Sequence, residues 1–288
     1  MSDFLRIYVP SKARADIFEK KTYSLLRETT IPWIVSVEPK DYPAYLKIVG
    51  DKKKIIVLDQ IDQGFGYALH FIQQHAVADD VEFIWKMDDD TYHWYDKCGK
   101  VMPKSTQAEY LMKVKDLLAS VYLRAEAFSG FSFPQKYFHS DWRPFTHVNK
   151  TFQTTFIVKS VDWFTPLDLK GYHDEFMAMA SIISKGKFVL RVGAFCWDAN
   201  LSTYEGGLQM FDREKEQTEF FKVMEKNYPQ FIAMTKAKQY TQPNGKIFTV
   251  TDKTFFNRAY ALKLPLKKKE HYLPEETVRC LSALQSLV

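Results

Sequence analysis

Three consecutive aspartates, Asp88, Asp89 and Asp90, carry the strongest chemical signal in the sequence. Adjacent carboxylates repel one another and disfavour the interior of helix and strand alike. Such a run is stable when a cation sits among the side chains or when water surrounds them. Mg2+ and Mn2+ accept carboxylate oxygens and keep positions open for phosphate oxygens, which suits a diphosphate-linked substrate. At a strand end the first and third side chains point the same way and the middle one turns back. A calcium loop of the EF-hand type starting at Asp88 needs Gly at its sixth position and Glu at its twelfth. This chain has His93 and Gly99 there. A Walker B arrangement needs a GxxxxGK[ST] loop, and the sequence has none. The bland alternative is a solvated turn whose aspartates cap Thr91 and the residues after it.

Other residues could work with such a cation. Lys12 and Arg14, in Pro10-Ser11-Lys12-Ala13-Arg14, suit a diphosphate or the flank of a base; otherwise Ser11 only caps the next helix. Glu38 is placed to accept hydrogen bonds from a pyrimidine or a ribose. Gly64-Phe65-Gly66 fails as a dinucleotide fingerprint because Leu69 stands where the third glycine belongs. Gly64 and Gly66 either ease the start of a helix or let the backbone approach a ligand. Asp174-Glu175 could take the proton of an attacking hydroxyl, Asp174 first; alternatively, both acids simply favour a helix N-terminus. Asp198 is a further metal ligand or a turn cap. Lys136, Tyr137, His139, Trp142 and Arg143 interleave basic and aromatic side chains in KYFHSDWRPFTHVNK. That segment either holds phosphates while a ring stacks on an extruded base, or packs locally. Lys267-Lys268-Lys269 reads as a solvated surface cluster.

These groups need a scaffold, and the apolar pattern supplies one. The 288 residues are 46% hydrophobic and 26% charged, a globular composition. The net charge of +5 permits an anionic partner without marking a dedicated nucleic-acid binder. Strands are expected at 7–9, 33–37, 55–58 and 81–87, with helices at 15–27, 42–49 and 64–75. That βαβαβαβ order implies a mostly parallel sheet covered on both faces. Ligands bind outside the carboxyl ends of strands in such sheets, so residues after Val9, Val37, Leu58 and Met87 should converge. The second half is mixed. Helices are expected at 106–125, 174–184, 212–226 and 275–287, strands at 128–133, 154–159 and 188–194, and a loop at 195–210. No repeat, low-complexity tract or linker divides the chain, which suggests one domain over 1–288. Cys98, Cys196 and Cys280 form no metal or disulfide pattern. No signal peptide and no apolar run of about eighteen residues is visible, so a soluble cytoplasmic protein without a membrane partner is expected.

RIYVPSKARAD at 6–16, QGFGYALHFI at 63–72 and FIWKMDDD at 83–90 together resemble the TET-associated glycosyltransferases of phages. The resemblance implies an α/β GT-A-like (Rossmann-like) fold, a mostly parallel sheet flanked by helices with a mixed second half. Residues 1–98 would then bind the nucleotide sugar and 99–288 the acceptor. It also implies a UDP-sugar co-substrate, a Mn2+ or Mg2+ cofactor, and DNA bearing a hydroxymethylated pyrimidine. Pro10, Ser11, Lys12 and Arg14 would lie along the donor nucleotide, Asp88 would face the ribose or metal, and Asp90 would bind the metal. Ala13 stands where related sequences often carry Gly, and Leu69-His70 where a basic or amide side chain is common. Three other readings share parts of this chemistry. They are sugar transfer to a carbohydrate or protein, a DNA-binding accessory protein whose transfer site has decayed, and two-metal nucleotidyl transfer.

Overall fold

A computed structural model describes residues 3–95, 104–123, 126–134, 145–148, 155–163, 174–192, 196–199, 213–234, 238–241, 247–250 and 260–262. In chain order, β1 (Leu5–Pro10) leads into α1 (Ala15–Phe18), a π-helical turn (Glu19–Tyr23) and α2 (Ser24–Leu26). There follow β2 (Trp33–Val37), α3 (Tyr42–Val49), β3 (Ile55–Val57), α4 (Phe65–Ala78) and β4 (Phe83–Lys86). Beyond the aspartates come β5 (Thr91–Tyr95), α5 (Lys104–Tyr122), β6 (Phe128–Ser132), β7 (Phe145–Val148) and β8 (Phe156–Lys159). The remainder comprises α6 (Asp174–Ser184), β9 (Phe188–Val192), β10 (Cys196–Ala199), α7 (Arg213–Asn227), β11 (Ile232–Met234), β12 (Lys238–Thr241), β13 (Ile247–Val250) and β14 (Tyr260–Leu262).

Eight strands form the main sheet in the order β3-β2-β1-β4-β8-β6-β9-β7. The first four are parallel, Ile7 pairing with Trp33 and with Trp85. β8 runs antiparallel to both β4 and β6, which makes β6 and its parallel neighbour β9 run the same way as β4. The expected mixed second half is thus one reversed strand inserted into an otherwise parallel array, with β7 antiparallel at the edge.

Both faces of the sheet are buried, which is why its strands read as apolar runs rather than as alternation. Ile7, Val9, Val35, Trp85 and Phe131 point into a core shared with Phe18, Leu26, Tyr45, Leu118 and Val121 of α1, α2, α3 and α5. Tyr8, Ile34, Ile84 and Val158 point the other way, into a core with Leu69, Ile72, Met177, Ile182, Phe220 and Met224 of α4, α6 and α7. Each fully buried large apolar side chain stabilises the fold by about 1.5–3 kcal/mol. Among the described residues no helix is long and apolar enough to cross a membrane.

Among the described residues β5, β7, β10 and β11 to β14 escape the sequence pattern. β5, β7 and β10 contain Thr91, Thr146 and Asp198 and lack a clean period of two; they form because tertiary pairing overrides propensity. The expected loop at 195–210 is corrected in its first part: Cys196–Ala199 is a strand paired with β5. Buried Trp197 explains why. Its side chain joins the first core and its indole N–H donates to the Phe133 carbonyl at 3.4 Å, pinning β10 beside the end of β6. The C-terminal helix expected at 275–287 lies outside the described residues.

Gly130 marks the tightest point of the sheet. It pairs with Val158 on one side and Val189 on the other. A Cβ there would collide with the Ile157 carbonyl oxygen and lie 2.9 Å from the Val158 Cα. Gly130→Ala should therefore destabilise the protein by at least about 1–3 kcal/mol, the usual cost of overpacking. Denaturant unfolding checks this, and an unchanged midpoint would refute the close approach.

Candidate functional site

β1 to β4 all end at the same edge of the sheet, so residues 11–14, 38–41, 58–64 and 87–90 emerge together. Two helices begin at this edge as well. α4 starts behind Gly64, whose φ of 95° favours glycine, and runs back towards the start of β4. The C-terminal part of α6 is fixed at the opposite edge, where Ser181 donates to the Asp162 carbonyl just past the end of β8 at 2.8 Å. Its N-terminus, with Asp174 and Glu175, therefore lies towards the carboxyl edge. Glu175 is half-buried, and Asp174 is described by its backbone position alone.

The triple aspartate is held from several directions. Ser11 Oγ donates to Asp89 Oδ2 at 2.5 Å and accepts from the Tyr45 hydroxyl at 2.5 Å. Arg14 places Nη1 at 3.0 Å from Asp89 Oδ1 and Nη2 at 3.7 Å from Asp90 Oδ2. Thr22, delivered by the π-helical turn, donates to the main-chain carbonyls of Asp88 at 2.7 Å and Thr91 at 3.1 Å. Such π turns recur at functional sites because they shift a helix face by one residue. Lys86 Nζ lies 2.7 Å from Asp88 Oδ1. Asp89 and Asp90 are both buried, so burial does not follow a simple alternation, and Asp88 is the most exposed of the three side chains at 24%.

Charge in this cluster is not balanced by the protein alone. Burial pushes the Asp89 carboxyl up to about 6, against the pull of Arg14. Burial, followed by repulsion from Asp88 and Asp89, pushes Asp90 up to about 7. A site that raises its own carboxylates in this way fits a hard divalent cation, for which Asp88 and Asp90 would be the protein's ligands. Among the described residues no group of three or more His, Cys, Asp or Glu side chains is gathered to hold a metal.

Asp198 also comes close to this region along the backbone. β10 pairs antiparallel with β5, and Ala199 sits opposite Thr91, the residue after Asp90. Asp198 itself pairs with His93, next to a register shift. Its side chain lies outside the described residues, as do Lys136, Tyr137, His139, Trp142, Arg143 and Lys267-Lys268-Lys269.

The second charged cluster centres on Glu38. Lys12 Nζ lies 2.8 Å from its Oε1 and Lys40 Nζ lies 3.0 Å from its Oε2. The Asp62 backbone N–H donates to Oε1 at 2.9 Å, and Asp62 Oδ1 meets both lysines, at 2.6 and 3.0 Å. Glu38 thus ties the ends of β1, β2 and β3 together. Ala13 adopts a φ of 55°, the region glycine favours, and its N–H donates to Asp41 at 2.9 Å. Gly66 is buried in the first turn of α4, and Pro10 closes β1 opposite Ser36.

Lys86 is the member that sequence reasoning missed. The signal was present: a lysine inside the otherwise apolar FIWKM, two residues before the aspartates. A mostly parallel sheet with two reversed strands, β8 and the edge strand β7, and an acidic turn beyond its fourth strand is a GT-A-like fold, the architecture of many glycosyltransferases. The family model of the TET-associated glycosyltransferases matches residues 5–177, and the chain belongs to that family. The match runs well past the first ninety residues and includes the start of α6.

Searched against curated proteins, the chain finds no match. Among solved structures it is similar to S. aureus TarS, with 13% identity and a TM-score of 0.47, over 79% of this chain and 44% of that one. It is also similar to the mannosyltransferase PcManGT from Pyrobaculum calidifontis, solved with GDP-Man and Mn2+. There the identity is 16% and the TM-score 0.49, over 78% of this chain and 65% of that one. An inositol-1-phosphate CTP transferase from T. maritima is similar at 9% identity and a TM-score of 0.38, over 78% of this chain and 98% of that one. The chain spans less than two thirds of the first two proteins, and likenesses this distant say nothing of substrate.

Glu38 offers a direct test of the charged cluster. Burial alone would raise its pKa, but hydrogen bonds from Lys12, Lys40 and the Asp62 N–H outweigh it and hold the carboxyl below its ordinary value. A depressed carboxylate adds stability above its ordinary pKa and loses it as pH falls through the folded value. Glu38→Gln should cost about 1–3 kcal/mol at neutral pH, the worth of hydrogen bonds to a charged group. The gap from the parent protein should close in acid, and unfolding curves at several pH values test this. A pH-independent gap would mean that Glu38 acts by packing alone.

Proposed function

We propose that the protein moves a sugar from a UDP-sugar to the hydroxymethyl group of a modified pyrimidine in phage DNA, 5-hydroxymethylcytosine or a close relative. The observation that carries this reading is the acidic triad at the one edge where β1 to β4 end and α4 and α6 begin. Family membership supports sugar transfer as the reaction class. Lys12, Arg14 and Glu38 lie at the ends of the first two strands, where a nucleotide can be gripped across neighbouring loops. Pro10, Ser11, Gly64 and Gly66 shape the same wall, with Asp89 fixing Ser11 and Arg14.

Asp88 and Asp90, with Asp198 as a third ligand, would hold Mn2+ or Mg2+, which would supply charge stabilisation for a departing diphosphate. Asp174, with Glu175 behind it, takes the proton of the attacking hydroxyl. The acceptor base reaches this edge flipped from its duplex, stacked and held by Lys136, Tyr137, His139, Trp142 and Arg143. The working compartment on this reading is the cytoplasm of an infected host cell.

Mass spectrometry of hydroxymethylcytosine-containing DNA after incubation with Mn2+ and a panel of nucleotide sugars tests the proposal. A hexose or pentose mass added to the modified base is expected. Transfer to a carbohydrate or protein instead would overturn the acceptor, and no transfer to anything would favour the decayed accessory protein. Asp90→Ala should keep the fold and abolish transfer, as circular dichroism and the same assay would report. Asp174→Ala should lower turnover by about 10²–10⁴-fold, the range for a lost general base, with UDP affinity unchanged. An unchanged rate would place the base elsewhere.

A further inference from the structure

Lys86 is a charge where the strand pattern asks for an apolar residue. It ends β4 and is 1% exposed. Its ammonium lies 2.7 Å from Asp88 Oδ1, 4.9 Å from the centre of the Phe65 ring and 5.8 Å from that of Phe156. An ammonium out of water is costly unless a counter-charge and polarisable faces replace its hydration, and here a carboxylate and two rings do so. The Gly64-Phe65-Gly66 motif gains a purpose from this arrangement. Gly64 turns the chain into α4 so that Phe65 can lie over the lysine.

The consequence for Asp88 is geometric and electrostatic. One of its oxygens is fixed from beneath by Lys86, which sets the orientation of the triad's most exposed carboxylate. Arg14 acts from the other flank on Asp89 and Asp90. Two protein cations therefore already stand against three carboxylates. A dication entering the triad meets their repulsion, and a diphosphate arriving with it brings the negative charge that offsets it.

We propose that Lys86 is a positioning residue that fixes Asp88 and holds down divalent-cation affinity until a diphosphate binds, so that cation and donor load together. This rests on the donor-site reading of the triad. By linkage, the factor by which UDP tightens Mn2+ equals the factor by which Mn2+ tightens UDP, so the coupling is measurable without turnover.

The test is Mn2+ binding to the full chain, followed by electron paramagnetic resonance with and without UDP. It compares the parent protein with Lys86→Met, Lys86→Gln and Lys86→Arg, and circular dichroism identifies the variants that fold. Charge removal in the Met or Gln variant should tighten Mn2+ alone by about tenfold, a modest effect for a unit charge lost from a few ångströms away in a partly screened site. The enhancement by UDP should shrink by the same factor, and Lys86→Arg should restore the parent behaviour. A folded Met or Gln variant with unchanged Mn2+ affinity and unchanged UDP coupling would overturn the role of Lys86 and leave the donor site standing. A folded Lys86→Arg that tightens Mn2+ as much as the Met or Gln variant would reduce the lysine to a packing role. A parent protein that binds neither Mn2+ nor UDP would overturn both this proposal and the donor-site reading.

Discussion

Three carboxylates at the end of one buried strand are the constraint around which this edge of the molecule is built. Left alone, Asp88, Asp89 and Asp90 would repel one another in a site too dry to screen them. The chain answers with contacts from three separate segments, Ser11 and Arg14 after β1, Thr22 in the π turn and Lys86 beneath, while Tyr45 on α3 holds Ser11 in turn. None of these is close in sequence to another apart from Ser11 and Arg14. The parallel order β3-β2-β1-β4 brings them together, because it stacks the strand ends on one edge. The fold is therefore a device for concentrating negative charge and partly compensating it. Burial, and after it repulsion from Asp88 and Asp89, still raises Asp90 to about 7 against the pull of Arg14. Complete neutralisation would leave nothing to attract a cation, and none at all would strain the fold.

Much of this was legible in the sequence. Ile7-Tyr8-Val9, Trp33 to Val37, Ile55 to Val57 and Phe83 to Lys86 are short, β-branched or aromatic runs between helical patterns, and each is a strand. Because both faces are covered, continuous burial and not alternation was the signal, and run length separated strand from helix. β5, β7 and β10 were illegible for a physical reason. Each takes its stability from a partner distant in sequence, as Trp197 does from Phe133, and nothing local records that contact. The acidic residues proposed for chemistry stand out in the sequence more than the residues that position them. Carboxylate runs are rare enough to stand out, whereas the role of Thr22 depends on a π turn that no periodicity announces. Glu38 was visible as an acid after a strand, but its hold on Lys12, Lys40 and Asp62 exists only once three loops meet.

The second half of the chain shows how a reversed strand serves a site. β8 lies between β4 and β6 and runs against both, so its first residue, Phe156, starts at the same edge where β4 ends. That places an aromatic ring beside Lys86 without a loop having to carry it there. A parallel strand in the same position would have begun at the far edge and delivered its last residue instead. β8 itself ends at the opposite edge, whereas α6 starts towards the carboxyl edge and returns to β9 through a short turn at Gly186. The start of α6, with Asp174 and Glu175, lies towards the same end of the sheet as the triad, although a long stretch of chain separates them.

Those two placements divide the proposed labour between elements of different stiffness. The triad is tied down by buried hydrogen bonds on a central strand, where burial is complete for Trp85 and Met87 on either side of Lys86. The proposed base stands at a helix start, where the dipole favours a carboxylate in its charged form. A cation and a diphosphate demand fixed geometry, and a rigid strand end provides it. A base that must meet acceptors as large as a nucleic acid gains from sitting at the rim of the sheet. If sugar transfer to DNA is the reaction, this separation is what would let one half of the fold hold the donor immobile while the other accommodates the incoming strand.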